Sequence, residues 1–287
     1  PKSRWLVPGY FLIGLSLREE KGGSRVERMQ SALQAFQNAE RTFQSAQFQE
    51  NDLLYFATYR FYAGLEKAKT AVSLAHISAE AKKQFFLTYA RGALEELSLE
   101  LEESSSPSSK AVKALEPYPK VQEQIHYELA KVLSLQKKPD EALAALDTMI
   151  TRYDTLQVTR SEYLSRALLE KGRMLAEKER FREALEALEA ADHSSAGGGA
   201  HLVRLKIWLL QAECLTRLEE YRDAMRLLSR VINEDIASSL RLKAMYKRAE
   251  LYRLQEKPEL AQRQLQSLAK LKGPWSELAK QELKNDP

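Results

Sequence analysis

With 287 residues, 44% of them hydrophobic and 29% charged, the chain has the composition of a folded soluble protein and not of a disordered tail. A formal net charge of +4 supplies no broad basic field of the kind that holds nucleic acid without regard to sequence. One cysteine, Cys214, excludes an internal disulfide and any multi-cysteine metal cage, and a thiol on a helix is expected to be a buried structural group.

The first segment, residues 1–23, contains an apolar run from Trp5 to Leu17, broken by Pro8 and Gly9, preceded by Lys2 and Arg4 and closed by Arg18, Glu19 and Glu20. Its 13 residues fall short of the roughly 20 that a spanning helix needs, and no small-x-small cleavage site follows it. Two readings stand: membrane contact through residues 5–17, with the basic residues keeping the amino end in the cytoplasm and the helices outside, or an apolar arm packed on the helices that follow.

Residues 24–104 form a helical section. Val26, Met29, Leu33, Phe36, Ala39 and Phe43 recur every three or four positions and predict a helix over Ser24–Ala46. Asn51 and Asp52 open a second helix running to about Ala75, whose Leu53, Leu54, Phe56, Tyr59, Phe61, Tyr62 and Leu65 predict burial on more than one side. Ser78 is the expected cap of a third, with Phe85, Phe86, Tyr89, Ala93, Leu94 and Leu97 inward. The run Ser-Ser-Ser-Pro-Ser-Ser at 104–109, a short helical turn near Lys110–Leu115 and the Pro117/Pro119 pair make residues 105–120 a linker.

Residues 121–273 repeat one helix–turn–helix phrase four times, with the signatures Lys-Pro-Asp-Glu-Ala-Leu, Arg-Phe-Arg-Glu-Ala-Leu, Glu-Tyr-Arg-Asp-Ala-Met and Lys-Pro-Glu-Leu-Ala-Gln. A small residue precedes each marker alanine by twelve positions, giving Ala130/Ala142, Gly172/Ala184, Ala212/Ala224 and Ala249/Ala261, pairs that let two antiparallel helices approach closely. Asp192–Ala200 reads as a loop between the second and third copies; Gly197-Gly198-Gly199 lies there with no preceding strand and no following Gly-Lys-Ser, so it is a linker and not a phosphate cradle. Gly273 is expected to stop a helix, and Pro274 to start a capping helix over residues 274–287.

No catalytic constellation is visible. His76, His126, His193 and His201 lack ligand partners at metal spacing, the pairs Glu95/Glu96 and Glu102/Glu103 fall on polar faces, and there is no nucleophile elbow, Walker loop or dinucleotide fingerprint. The expectation is a protein without enzymatic activity, cofactor or metal.

The third copy, with Trp208-x-x-Gln211-Ala212-x-x-Leu215 followed by Tyr221, Ala224 and Leu228, resembles the tetratricopeptide repeat, and the second adds Gly172, Leu175, Phe181, Ala184 and Leu188. The resemblance covers about half the chain and implies an all-α fold, a right-handed superhelix (α-solenoid) of antiparallel helix pairs. The marker alanines stand 42, 40 and 37 residues apart (184 − 142, 224 − 184, 261 − 224) instead of the family's roughly 34, and Asp154, His193 and Ile236 occupy the place of the closing proline. The long period, with Ile150-Thr-Arg-Tyr-Asp leading into Ala167-Leu-Leu-Glu-Lys-Gly, is similar to the extended arrays of bacterial cell-envelope assembly proteins.

In the resembled family the first helix of each pair lines a concave groove that holds partner segments. Carried over by register, that groove takes Tyr127 and Lys131; Arg166, Leu169 and Arg173; Lys206, Leu209 and Glu213; and Lys243, Tyr246, Glu250 and Arg253. Cations outnumber the two glutamates there, which implies a protein or peptide partner carrying acidic groups. Tyr127, Leu169, Leu209 and Tyr246 occupy a tier where a carboxylate clamp needs Lys and Asn, which disfavours chaperone-tail recognition. The resulting reading is an interaction scaffold, envelope-tethered or a soluble cytoplasmic adaptor. An RNA-binding helical repeat is the alternative from another class, weakened by Glu213 and Glu250.

Overall fold

The computed structural model describes residues 4–48, 50–103, 119–154, 162–195, 201–234 and 239–285, and among them finds thirteen α-helices and no strand. They fall into two compact units, Pro1–Leu156 and Gln157–Pro287.

The first unit holds α1 (Leu6–Glu19), α2 (Arg25–Ser45), α3 (Glu50–Ile77), α4 (Glu80–Glu103), α5 (Pro119–Leu135) and α6 (Pro139–Asp154). One face of the run from Trp5 to Leu17 packs on the helices that follow. Phe11 sits against Phe36, Tyr59 and Tyr62, and Trp5 meets Phe56 edge-on at 5.3 Å. Gly14 lies so close over Phe36 that a Cβ there would come within 2.5 Å of the ring. Trp5, Leu6, Leu12 and Ile13 face outward, and no described helix is long and apolar enough to cross a membrane.

Ser24 caps α2 by accepting from the Glu27 N–H, and Met29, Ala32, Phe36 and Ala39 form its buried stripe; Val26, one turn too early, is exposed. The central helix is α3, with Phe56, Phe61, Leu65, Ala68, Ala71 and Leu74 all buried, together with the charged Arg60, Glu66 and Lys67. Two details of α4 differ from expectation. The helix begins at Glu80, where the Ala79 carbonyl accepts from Lys82 and Lys83, so Ser78 stands one position outside the cap. Its buried stripe runs Leu87, Ala90, Leu94, Leu97, Leu101, which rotates Phe85 by two residues, about 200°, to 65% exposure. Val121, Ile125 and Val132 of α5 join the same core, so the first helix pair belongs to this unit. The Ser/Pro stretch, the turn near Lys110–Leu115 and Gly197–Gly199 lie outside the described residues.

The second unit holds the other three pairs, α7 (Glu162–Glu177) with α8 (Phe181–Ser194), α9 (His201–Arg217) with α10 (Tyr221–Asn233), and α11 (Ser239–Leu254) with α12 (Pro258–Ala269), closed by α13 (Pro274–Asn285). Gly273 works at the opposite end from the one expected. The preceding helix stops at Ala269, and Gly273, at φ +142°, opens α13 by accepting from the Ser276 and Glu277 N–H groups.

The turn inside each of the four pairs is built identically, five residues before each marker alanine. Lys137, Glu179, Glu219 and Glu256 adopt the left-handed conformation, with φ of 60°, 60°, 62° and 58°. The N–H of the next residue returns to a carbonyl five back: Lys138 to Leu133, Arg180 to Leu175, Glu220 to Leu215 and Lys257 to Tyr252, at 2.8–3.1 Å. A non-glycine residue pays about 1–2 kcal/mol for that conformation. Its fourfold recurrence shows how strongly the helix pairing fixes the turn.

Candidate functional site

The junctions between paired helices set the scaffold for any site. Ala130, Ala142, Ala184, Ala212, Ala224, Ala249 and Ala261 are each at most 1% exposed. Gly172 is buried too, and a Cβ on it would lie 2.6 Å from Leu188 Cγ and 3.3 Å from the Ala184 carbonyl oxygen, so α7 and α8 meet at a distance only glycine permits. Trp208, in the middle of α9, is buried; its Nε1 donates to Asp192 at 3.2 Å, and the Arg230 guanidinium stacks 3.9 Å above the ring.

Within the second unit, the first helices α7, α9 and α11, with Phe181 of α8 and Leu228 of α10, line a half-open cavity of about 660 Å³. Ala176, Leu210, Cys214, Leu228 and Leu254 supply apolar wall, and Arg173, Glu177, Glu213, Arg217, Lys247, Glu250 and Arg253 ring it. Of the residues placed on this face by register, Arg173, Glu213, Glu250 and Arg253 do line the cavity. Leu209 does not. It is 3% exposed, while Leu210 takes the wall. Leu205, Ile207, Trp208, Leu209, Gln211, Ala212, Cys214 and Leu215 are all buried, so α9 is covered on several sides and its sequence offers no single stripe from which to choose the groove position.

The charge of this face differs from the sequence picture as well. Lys243 bridges to Glu213 at 2.8 Å and Lys247 to Glu250 at 2.9 Å. Arg173 is held by Glu170 and Glu177, and Arg217 lies 3.5 Å from Glu179 with Phe181 beneath it. Arg253 reaches Glu282 of α13 at 2.7 Å, and the same carboxylate accepts from the Tyr246 hydroxyl. Burial, with that hydrogen bond next, pushes the Tyr246 phenol up to about 12. Of the cations expected to give a basic groove, Arg173, Lys243 and Arg253 are thus matched by carboxylates, several of them, Glu170, Glu177 and Glu282, outside the register argument. Arg166 stacks 5.8 Å over Tyr163, Leu169 is half-buried and Lys206 is exposed.

Tyr127 and Lys131 belong to the first unit. Lys131 Nζ lies 5.4 Å from the Tyr127 ring centroid and 2.7 Å from Glu128. Beside them His126 is buried, with Nδ1 3.4 Å from the Ser98 hydroxyl; burial first and Arg152 second push its pKa down to about 4. The Cys214 thiol is pushed up to about 11 by burial and then by Glu213, which leaves it protonated and poorly nucleophilic. Among the described residues no three His, Cys, Asp or Glu side chains group as metal ligands.

No protein-family model and no curated protein matches the chain. Solved structures do share its fold. The crystal structure of BtubC (BKLC) from P. vanneervenii is 9% identical, matched over 86% of this chain and 91% of that one, with a TM-score of 0.64. The apo form of RapI is 14% identical over 96% and 80%, with a TM-score of 0.54. The nearly identical TPR-like repeats of a putative kinesin light chain from Podosopora anserina are 17% identical over 71% and 94%, at 0.53. The chain is an all-α, TPR-like array of helix pairs.

Proposed function

We propose that this chain is a non-enzymatic protein–protein interaction scaffold and that the cavity between α7, α9 and α11 receives an apolar side chain of a partner segment. The carrying observation is the cavity: about 660 Å³ of largely aliphatic wall ringed by paired charges, on the face that first helices present. Acidic groups on the partner would compete for Arg173, Lys247 and Arg253 with the glutamates now holding them, an exchange that favours specificity over raw affinity. Arg166, Lys206 and Lys243 extend the same face, and Tyr127 and Lys131 offer a similar pair on the first unit. The long repeat period supports bacterial envelope assembly as the setting, with α1 serving as part of the fold.

The full chain used as bait in native cells, with crosslinking and mass spectrometry, tests this. Leu210→Glu combined with Leu254→Glu places charge in the cavity and should remove the crosslinked partner while circular dichroism stays unchanged. Equal recovery by wild type and variant would take the cavity out of consideration.

A further inference from the structure

On the opposite side of α9 lies a second opening, about 390 Å³, between α8 and α10. Residues Gln211 and Leu215 face it, whereas Leu210, Glu213, Cys214 and Arg217 face the first cavity. Four carboxylates and two guanidinium groups line this cleft. Arg182 pairs with Glu220 at 2.7 Å and Arg226 with Asp223 at 2.9 Å, which cancels two of the negative charges. The side chains of Glu186 and Glu189, three residues apart and therefore neighbours on α8, take part in no hydrogen bond or ion pair among the described residues, so the cleft keeps two uncompensated negative charges.

Gln211 is the second, independent observation. Its side chain is on α9 beneath the cleft, the residue is only 7% exposed, and its carboxamide makes no hydrogen bond among the described residues. The residue is buried but its carboxamide atoms keep access to solvent, and the side from which a partner can reach them is the cleft the residue lines. Its carbonyl oxygen is an acceptor, like the two carboxylates above it.

From this we infer that the cleft between α8 and α10 is a binding site for an arginine side chain of a partner protein, distinct from the cavity on the other side of α9. An arginine meets each requirement. Its aliphatic stem lies along Leu185, Leu215 and Leu227, and its planar fork of five N–H donors serves Glu186, Glu189 and the Gln211 carbonyl together. An ammonium group offers three donors from one point and satisfies this spread of acceptors less well. The charge balance selects a cation and excludes an acidic segment.

The test uses the full chain labelled with nitrogen-15 and N-acetyl-arginine amide as the probe, with N-acetyl-citrulline amide as its neutral isostere. Arginine should shift the Gln211 side-chain amide and the backbone amides of Leu185, Glu186 and Glu189 in a saturable way, and citrulline should not. Glu186→Gln with Glu189→Gln, both at exposed positions that leave packing intact, should weaken the response about tenfold or more, as the loss of a charge-assisted hydrogen bond predicts. Equal shifts from citrulline, no saturable response, or an unchanged response in the double variant would overturn the assignment. None of these outcomes depends on Leu210 or Leu254.

Discussion

In the first unit α3 carries Arg60, Glu66 and Lys67 into the interior, and α5 adds Glu123 and Glu128; among the described residues of the second unit the buried polar side chains are Ser165, Ser195, Gln211, Gln264 and Ser276, none of them charged. The first unit's charges are answered across long stretches of chain, Arg18 by Glu66, Glu40 by Lys67 and Arg60 by Glu100. The second unit is closed by small residues twelve positions apart, repeated in register. One unit is specified by particular long-range partners and the other by a local rule applied three times. Their failures under mutation should differ accordingly.

The largest effect is expected from breaking one ion pair. Glu40 and Lys67 approach to 2.5 Å with side chains 15% and 9% exposed, and burial already holds the Glu40 carboxyl above its usual range. Lys67→Met leaves that carboxyl buried without its partner and should cost about 3–5 kcal/mol in chemical denaturation. The double variant Glu40→Leu with Lys67→Met removes both charges and should recover to within about 1 kcal/mol of wild type or better. A double variant as unstable as the single would mean that packing of the lysine stem, and not charge, secures the first unit.

A smaller effect separates the units by pH. His126 titrates near 6.5 when unfolded and near 4 when folded, so between these values the unfolded chain holds a proton that the folded chain lacks. Its contribution is complete above about pH 6.5 and declines as pH falls toward 4, by up to about 3 kcal/mol. Amide protection factors, which take out the slower intrinsic exchange at low pH, should be smaller at pH 5 than at pH 7 in α4 and α5 and little changed in α9 and α11. His126→Gln should flatten that pH dependence; a slope that survives the substitution belongs to another group.

The same contrast decides what was legible in the sequence. A rule that acts over twelve residues leaves a period, so the four pairs, their small-residue contacts and the close approach at Gly172 could be read directly. Periodicity alone puts Ser24 inside the helix and not at its cap, although its partner Glu27 is only three residues away. The pairing of Glu40 with Lys67 or Arg60 with Glu100 leaves no periodic trace, and the interior charges of α3 were invisible for that reason. Phe85 and Ser78 misled through composition: an aromatic and a good cap stood beside the true stripe and the true start. Of the residues that register assigns to the groove, Arg173, Glu213, Glu250 and Arg253 line the cavity and Leu209 is buried, and a helix buried on several sides gives no apolar face from which to count between Leu209 and Leu210.

One substitution made in both units gives opposite signs. Gly172→Ala drives a Cβ to 2.6 Å from Leu188, itself fully buried, so α7 and α8 must separate or Leu188 must leave its rotamer. Overpacking of this kind costs about 1–3 kcal/mol. Gly92, in the middle of α4, has open space where its Cβ would be and is exposed, so Gly92→Ala meets nothing and should stabilise by about 0.5–1 kcal/mol through helix propensity alone. Thermal denaturation of the two variants reads the difference. If Gly172→Ala were as harmless as Gly92→Ala, the paired helices of the second unit would be held by something other than close contact between small residues, and the marker alanines would lose their meaning as its organising rule.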